Sequence, residues 1–110
     1  MTQDLVIGID SSTSATKAIA WDRNGRAIAE GRKTIALANP APGHFEQNPD
    51  EWWDSTAAAL RGVLREVDSA RIAAVAVSNQ RETFSAFTED GTAIRPGMTW
   101  LDERARPQVV

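Results

Sequence analysis

The apolar and polar positions in the amino-terminal part of the chain form short runs that predict three β-strands. Residues 5–9 are an apolar, β-branched run that ends at Asp10, and residues 16–21 form a second run. The Asn24-Gly25 pair that follows is typical of a tight hairpin turn, because these residue types adopt positive φ angles at little cost. A third strand, over residues 27 to about 37, is therefore expected to return antiparallel to the second.

The middle of the chain predicts a loop followed by a helix. Residues 38–49, ANPAPGHFEQNP, contain three prolines and one glycine, which favours a loop. In the segment that follows, side chains suited to one helix face recur at helical spacing: Trp53, Thr56, Ala57, Leu60, Val63, Leu64 and Val67. Asn48 can cap this helix, Pro49 suits its first turn, and Glu51 stands where a capping-box carboxylate reaches back. We predict a helix over residues 49–67.

The pattern changes again after the helix. Residues 72–77, IAAVAV, are apolar on both faces, as in a strand buried within a parallel or mixed sheet. Residues 83–88 and 92–94 flank a Glu-Asp-Gly turn that indicates another hairpin, and a short run at 98–101 precedes LDERARPQ, which is typical of a helix start. The order βββαβ implies a mixed α/β sheet with a helix on at least one face. One helix cannot cover both faces of a sheet of about five or six strands, so the chain is interpreted as a fragment of a longer protein.

Composition excludes several classes of function. The chain has 110 residues, 25% of them charged, with a net charge of −3 at pH 7 and no cysteine. Without a basic stripe it is not expected to bind nucleic acid, and without cysteine it has neither disulfides nor thiolate metal sites. Its amino terminus carries an acid where a signal peptide is positively charged, and the apolar run there is too short to span a bilayer. We expect a cytoplasmic protein that is not associated with a membrane.

The first candidate site is GIDSSTSATK, residues 8–17. It places Asp10 at the end of a strand, four hydroxyl side chains behind it and Lys17 on the next strand. Hydroxyl groups and an ammonium group can contact a phosphate, and the carboxylate can hold a hydrated Mg²⁺ ion. The P-loop pattern is absent, and an ordinary hairpin turn rich in Ser and Thr has the same composition.

The second candidate site is SNQRETF, residues 78–84, which follows the strand predicted to be buried. Ligands of open α/β sheets gather beyond the carboxyl ends of strands. Arg81 offers donors and Glu82 offers acceptors, a combination suited to neighbouring hydroxyl groups of a sugar or polyol. The ring of Trp100 can stack on the C–H side of such a ligand. The alternatives are a surface ion pair between Arg81 and Glu82, and a tryptophan that belongs to the core.

Four segments in register resemble the FGGY carbohydrate kinase family, which includes glycerol kinase, xylulokinase and ribulokinase. They are GIDSSTSATKAIAWD (8–22), PGHFEQNPDEWW (42–53), IAAVAVSNQRET (72–83) and GMTWLDERA (97–105). The resemblance covers essentially the whole chain and implies a ribonuclease-H-like α/β fold, as in actin and hexokinase. It also implies that residues 1–110 are the first part of the sugar-binding N-terminal domain of an ATP-dependent kinase, with the rest of that domain and the nucleotide-binding C-terminal domain outside the chain.

The resemblance further implies roles for individual residues. In the family the first hairpin faces the ATP phosphates, which assigns that role to Thr13, Ser14 and Lys17, with Asp10 near Mg²⁺. The residues that would contact the sugar or polyol are Arg81, Glu82 and Trp100. The family's general base is an aspartate beyond residue 110, so the chain alone is expected to be inactive.

Three functions stay open on the sequence alone. The leading one is an ATP-dependent kinase of a sugar or polyol, and a homodimer is compatible with it. A non-catalytic sugar-binding or sensor protein on the same scaffold is the main alternative. An actin-like assembly protein is the third, and the sugar-suited groups at Arg81 and Glu82 argue against it. The identity of the sugar or polyol is not determined by these residues.

Overall fold

The strands predicted at the amino terminus form most of a four-stranded mixed sheet. The computed structural model describes residues 2–109. In the spatial order β3-β2-β1-β6, the larger sheet consists of β1 (Leu5–Ser11), β2 (Ala15–Trp21), β3 (Ala27–Thr34) and β6 (Ile72–Asn79). The first three strands are an antiparallel meander, and β6 pairs parallel with β1. This arrangement confirms the predicted mixed α/β sheet.

The turn between β2 and β3 forms as the Asn-Gly pair predicts. Gly25 adopts a φ of 76°, and the carboxylate of Asp22 accepts hydrogen bonds from the backbone N–H groups of Asn24 and Arg26. These bonds close the turn without help from the rest of the chain. Strand β3 ends at Thr34, slightly earlier than predicted.

The loop prediction for residues 38–49 is wrong. Strands β4 (Ala38–Ala41) and β5 (His44–Gln47) form an antiparallel hairpin around Gly43, whose φ is 76°. A third short strand, β7 (Gly97–Met98), pairs with β5 to complete a second sheet in the order β4-β5-β7. Proline is tolerated in β4 because β4 is an edge strand, where a missing N–H group breaks no ladder.

The predicted helix is present as α1 (Pro49–Leu64). The side chain of Asn48 accepts a hydrogen bond from the backbone N–H of Asp50 at 3.0 Å and so caps the helix as predicted. The helix ends three residues before the predicted boundary, at Arg65 as its C-terminal cap.

The buried face of α1 agrees with the predicted apolar face only in part: Val63 is buried, as is Val67 just after the helix, whereas Trp53 and Leu64 are exposed. The buried positions include Ser55, Ala59 and Val63, whereas the side chain of Trp53 is 69% exposed. Helix α1 packs across β2 and β3, and a Cβ atom added to Gly31 of β3 would lie only 1.8 Å from the carbonyl oxygen of Ala59. Small residues therefore decide which face of the helix meets the sheet, because only they allow so close an approach.

Strand β6 is exposed, and the prediction of a buried strand is wrong for this chain. Val75 is 53% exposed and Val77 is 65% exposed. The strand forms one edge of the sheet, whereas α1 packs mainly on β3 and β2, toward the other edge. Burial of a doubly apolar strand requires neighbours on both faces, and no element within residues 2–109 supplies them.

The carboxyl-terminal part has less regular structure than predicted. The hairpin over residues 83–94 is reduced to a turn with Gly91 at a φ of 84° and an isolated bridge between Phe87 and Ala93. The expected helix start is a single 3₁₀ turn, Arg106–Gln108. The carboxyl-terminal part contributes little to the hydrophobic core, which lies between the meander and α1. None of the helices within residues 2–109 is both long enough and apolar enough to cross a membrane.

Candidate active site at the carboxyl ends of β1 and β6

The parallel pairing of β1 and β6 brings their carboxyl ends to the same edge of the sheet. Ser11, the last residue of β1, is the partner of Asn79, the last residue of β6. The backbone N–H of Gln80 extends this pairing by donating to the carbonyl oxygen of Ser11 at 3.0 Å. The segments that leave both strands therefore begin side by side, in the position where open α/β sheets bind ligands.

An open depression of about 400 Å³ lies at this edge. Its lining residues are Asp10, Ser12, Thr13, Asn79, Gln80, Arg81, Glu82 and Trp100. The structure thus brings together Asp10 and Thr13 from the first candidate site with all three residues of the second. Two sites that are separate in the sequence share one depression.

Two of the predicted phosphate-binding residues lie outside this lining. Ser14 is exposed in the turn between β1 and β2, and its carbonyl oxygen accepts a hydrogen bond from the N–H of Ile35 at 2.9 Å. Lys17 is the cross-strand partner of Asp10, and its ammonium group lies 3.7 Å from the carboxylate of Glu30. Lys17 and Asp10 also line a neighbouring depression on the same sheet. Asp10 therefore borders both depressions.

Trp100 is held at the rim of the depression by two hydrogen bonds. Its indole Nε1 donates to Oγ1 of Thr13 at 2.8 Å, and its backbone N–H donates to Oγ1 of Thr83 at 3.1 Å. The residue is nevertheless 53% exposed. Trp100 is therefore not a core residue, and its fixed and accessible ring can form a platform for the apolar side of a ligand.

Arg81 and Glu82 follow Gln80 in the depression. They form no ion pair with each other or with another residue of the described range 2–109, so the surface-pair alternative does not hold. Glu82 is the one non-glycine residue of that range with a positive φ, at 66°. A glutamate in the left-handed region is uncommon, and such residues concentrate at functional sites.

The lining carries the carboxylates of Asp10 and Glu82 and the guanidinium of Arg81. Ser12 donates a hydrogen bond to Oδ1 of Asp10 at 2.8 Å. Within residues 2–109 no three His, Cys, Asp or Glu side chains are grouped as a metal-binding cluster. Mg²⁺ bound with a nucleotide commonly uses one or two carboxylates together with waters and phosphate oxygens. Asp10 fits this mode of binding, whereas a metal cage made of protein alone is not formed here.

A hydrogen-bond network behind the depression includes residues that the sequence analysis missed. Oε1 of Gln80 accepts hydrogen bonds from Oγ1 of Thr13 at 3.2 Å and from Oγ1 of Thr83 at 2.9 Å, and its Nε2 donates to Oε1 of Gln47 at 3.0 Å. Gln80 could have been identified from its place beside Arg81 in the NQRET segment. Gln47 lies in the segment 42–53 that resembles the family, but no role was assigned to it because residues 38–49 were predicted to be a loop.

An ion network anchors the segment after Trp100 to β5. Arg104 donates two hydrogen bonds to the carboxylate of Asp102, at 2.8 and 2.6 Å, and a third to Glu46 at 2.7 Å. Asp102 also accepts from the backbone N–H of Phe45 at 2.8 Å. The hydrogen bonds from Arg104 hold the pKa of Asp102 well below its usual range, and they also lower the pKa of Glu46, because they favour the charged form.

Comparison with known sequences identifies relatives along nearly the whole chain. The model of the FGGY family of carbohydrate kinases, N-terminal domain, matches residues 5–110. The glycerol kinase of Thermococcus gammatolerans is 34% identical over 106 residues, which are 94% of this chain and 22% of that protein. The glycerol kinase of Leifsonia xyli is 33% identical over 109 residues, or 96% of this chain and 22% of that protein. The chain therefore spans about a fifth of the length of the curated relatives it matches.

Solved structures with the same fold include kinases of gluconate, xylulose and glycerol. The gluconate kinase of Lactobacillus acidophilus overlaps with a TM-score of 0.87 at 28% identity, over 94% of this chain and 21% of that one. A ligand-bound xylulose kinase from the same organism gives the same values. The glycerol kinase of Plasmodium falciparum with ADP has a TM-score of 0.78 at 22% identity, over 97% of this chain and 22% of that one, and at this identity it shows the fold alone.

Proposed function

The chain belongs to the FGGY family of carbohydrate kinases, and we propose that the protein of which it is a part transfers the γ-phosphoryl group of ATP to a hydroxyl group of a sugar or polyol. The observation that best supports this is the shared depression, which is lined by Asp10 and Thr13 together with residues suited to a polyhydroxylated acceptor. The relatives named above are kinases, so a non-catalytic sugar-binding or sensor protein is not favoured.

Arg81, Glu82 and Trp100 bind the acceptor in this proposal. Guanidinium donors and carboxylate acceptors that are not paired with each other can hydrogen-bond to adjacent hydroxyl groups. The exposed ring of Trp100 covers the C–H side of the acceptor and excludes water from it. Hydrogen bonds to charged groups contribute about 1.5–3 kcal/mol each, so these contacts account for binding of a small polar molecule.

Asp10, Thr13, Ser14 and Lys17 serve the phosphate side. Asp10 would hold a hydrated Mg²⁺ ion, which when bound neutralises charge on the ATP phosphates. Thr13 lines the depression and Ser14 follows it in the turn. Lys17 is paired with Glu30 at 3.7 Å on an exposed surface, and such pairs contribute about 0–1 kcal/mol. A phosphate can therefore draw the ammonium away from Glu30 at little cost.

The rest of the protein would complete the domain and the active site. Val75, Val77 and Trp53 expose large apolar surfaces on β6 and α1, and the relatives are far longer than this chain. We assign residues 1–110 to the first part of the sugar-binding N-terminal domain, with the general base and the nucleotide-binding domain in later segments. The 110-residue chain alone is accordingly not expected to phosphorylate a sugar or polyol.

The test is an assay of the full-length protein with Mg²⁺-ATP and a panel of glycerol, D-xylulose and D-gluconate, measuring ADP release that depends on the acceptor. With the best acceptor, Arg81→Ala and Glu82→Ala should each raise the KM for the acceptor about 10- to 100-fold and leave the KM for ATP nearly unchanged. Arg61→Ala, which removes an exposed arginine from α1, is the matched control. ATP turnover that no panel member stimulates would contradict the proposed function, and a change confined to the KM for ATP would contradict the placement of the acceptor.

A further inference from the structure

Gln47 is a buried polar residue at the point where three elements meet. It is the last residue of β5 and is 2% exposed. Its Nε2 donates to the carbonyl oxygen of Thr13 at 2.5 Å, and its Oε1 accepts from the indole Nε1 of Trp52 at 2.9 Å and from Nε2 of Gln80 at 3.0 Å. One amide therefore joins the turn after β1, the helix α1 and the segment after β6.

The chemistry of this junction requires a side chain that both donates and accepts. A primary amide carries an N–H₂ donor and a carbonyl acceptor on the same carbon, whereas Leu offers neither, Met offers only a weakly accepting sulfur, and a carboxylate offers no donor. Substitution would leave the carbonyl oxygen of Thr13, the indole N–H of Trp52 and the Nε2 of Gln80, all partly buried, without these hydrogen-bond partners. Packing alone does not need such a group, because an apolar residue fills a core at lower cost.

The partners of Gln47 lead directly to the depression. Thr13 and Gln80 both line it, although Gln47 itself does not. They also contact each other, since Oγ1 of Thr13 donates to Oε1 of Gln80 at 3.2 Å. Thr13 in turn accepts the indole hydrogen bond of Trp100. A shift of the Gln47 amide would thus move two walls of the depression relative to each other: the turn after β1, with Thr13, and the segment after β6, with Gln80.

We propose that Gln47 is a positioning residue that sets the separation between the turn carrying Asp10 and Thr13 and the segment carrying Arg81 and Glu82. The inference rests on the proposed function, in which the first wall faces the ATP phosphates and the second wall binds the acceptor. Phosphoryl transfer depends mainly on the alignment of the two substrates. A displacement of about 1 Å can lower the rate about 100-fold without weakening either substrate's own contacts.

This role has a distinct kinetic signature in the full-length protein. Gln47→Met keeps the length and volume of the side chain but removes its hydrogen bonds. It should lower kcat about 100-fold, while the KM values for ATP and for the best of glycerol, D-xylulose and D-gluconate each stay within about a factor of two to three, because each wall keeps its own contacts. Arg81→Ala should give the opposite pattern, with a raised acceptor KM.

Ser55→Ala is the matched control for loss of a buried hydrogen bond. Ser55 on α1 and Thr16 on β2 are both buried, their hydroxyl groups lie 2.7 Å apart, and neither residue lines the depression. The control should lower the melting temperature as Gln47→Met does and leave kcat unchanged. If Gln47→Met lowers the melting temperature but retains the parent kcat, Gln47 is a structural residue only and the proposal is wrong. A raised acceptor KM with unchanged kcat also overturns it.

A second measurement separates this proposal from the proposed function. In full-length protein with ¹⁵N-labelled indole groups, Trp100→Phe identifies the Trp100 resonance. Gln47→Met should shift that resonance, because the displaced Thr13 is its hydrogen-bond acceptor, and Ser55→Ala should not. If the parent protein phosphorylates none of the acceptors, the proposed function fails. The Trp100 resonance then still decides whether Gln47 positions the turn that carries Thr13. An unmoved resonance in Gln47→Met overturns the positioning role.

Discussion

The indole Nε1 of Trp100 lies 2.8 Å from Oγ1 of Thr13, to which it donates a hydrogen bond across 87 positions of sequence. This bond joins Trp100, which we propose binds the sugar or polyol, with Thr13, which we propose faces the ATP phosphates. The hydroxyl of Thr13 also donates a hydrogen bond to Oε1 of Gln80. It therefore acts as both acceptor and donor between the two walls of the depression. The Trp100 ring is therefore held in part by Thr13, the residue that we propose for the phosphate side.

We expect Thr13→Val and Trp100→Phe to have coupled effects on acceptor binding in the full-length protein. Each variant removes the same hydrogen bond, so the double variant should lose less than the sum of the single losses. Coupling energies of residues in contact are about 0.5–3 kcal/mol, which is well measurable in the KM for the acceptor. Additive losses in the complete double-mutant cycle would mean that the bond does not orient Trp100 in the working protein.

Asp10→Asn should impair phosphoryl transfer more than acceptor binding. Asparagine keeps the shape of the side chain and can still accept from Ser12, but it lacks the charge that holds Mg²⁺. The kcat at saturating Mg²⁺-ATP should fall about 100-fold, as for loss of a group that stabilises the transition state. Acceptor affinity, measured by calorimetry without ATP, should stay at the parent value.

Asp54→Asn is the matched control for this variant, since Asp54 is an exposed acid on α1 outside the lining of the shared depression. A kcat of Asp10→Asn equal to that of Asp54→Asn would return residues 8–17 to the status of an ordinary hairpin turn.

Gly31→Ala should destabilise the protein, because the added Cβ would lie 1.8 Å from the carbonyl oxygen of Ala59 and force α1 away from β3. Overpacking of this kind costs about 1–3 kcal/mol or more. Thermal unfolding of the full-length protein measures the effect. Glu30→Ala, at the adjacent exposed position, should change the melting temperature little, and equal melting temperatures for the two variants would contradict the close approach of α1 to β3.

Asp102 should make the stability of this region depend on pH in the acid range. The hydrogen bonds from Arg104 lower the pKa of Asp102 in the folded protein below its ordinary value of 3.8, so the unfolded chain binds more protons as the pH falls. The stabilisation is therefore complete above the unfolded pKa, at about pH 5 and higher, and is lost as the pH falls below about 4 toward the folded pKa.

In Asp102→Asn this contribution is absent at every pH. The free energy of unfolding of the parent, measured with urea, should therefore fall more steeply on acidification than that of the variant. Parallel curves for the two proteins would show that Asp102 has the same pKa in both states.

Local sequence signals determined the elements whose stability is local. The meander, the Asn24-Gly25 turn and the Asn48 cap each depend on residues close in sequence, and the predicted α/β fold is confirmed by the overlap with solved sugar kinases. Prediction failed where pairing partners are distant. Strand β5 pairs with the neighbouring β4 and also with the distant residues 97–98, and the proline content of residues 38–49 cannot reveal the second partner.

The candidate site, too, was predictable in part from the sequence and in part only from the tertiary structure. Side-chain chemistry in the sequence singled out Asp10, Arg81, Glu82 and Trp100, because each type suits a metal ion or a polyol, and the family resemblance added Thr13. The parallel pairing of β1 with β6 brought Asp10, Thr13, Arg81 and Glu82 to one depression, and hydrogen bonds to Thr13 and Thr83 placed Trp100 at its rim. Gln47 emerged from the tertiary structure alone, since a buried amide is recognised by the three partners it satisfies, and these partners lie in different elements. Hydrogen bonds between distant segments depend on how the backbone packs, and no local pattern of residues encodes that arrangement.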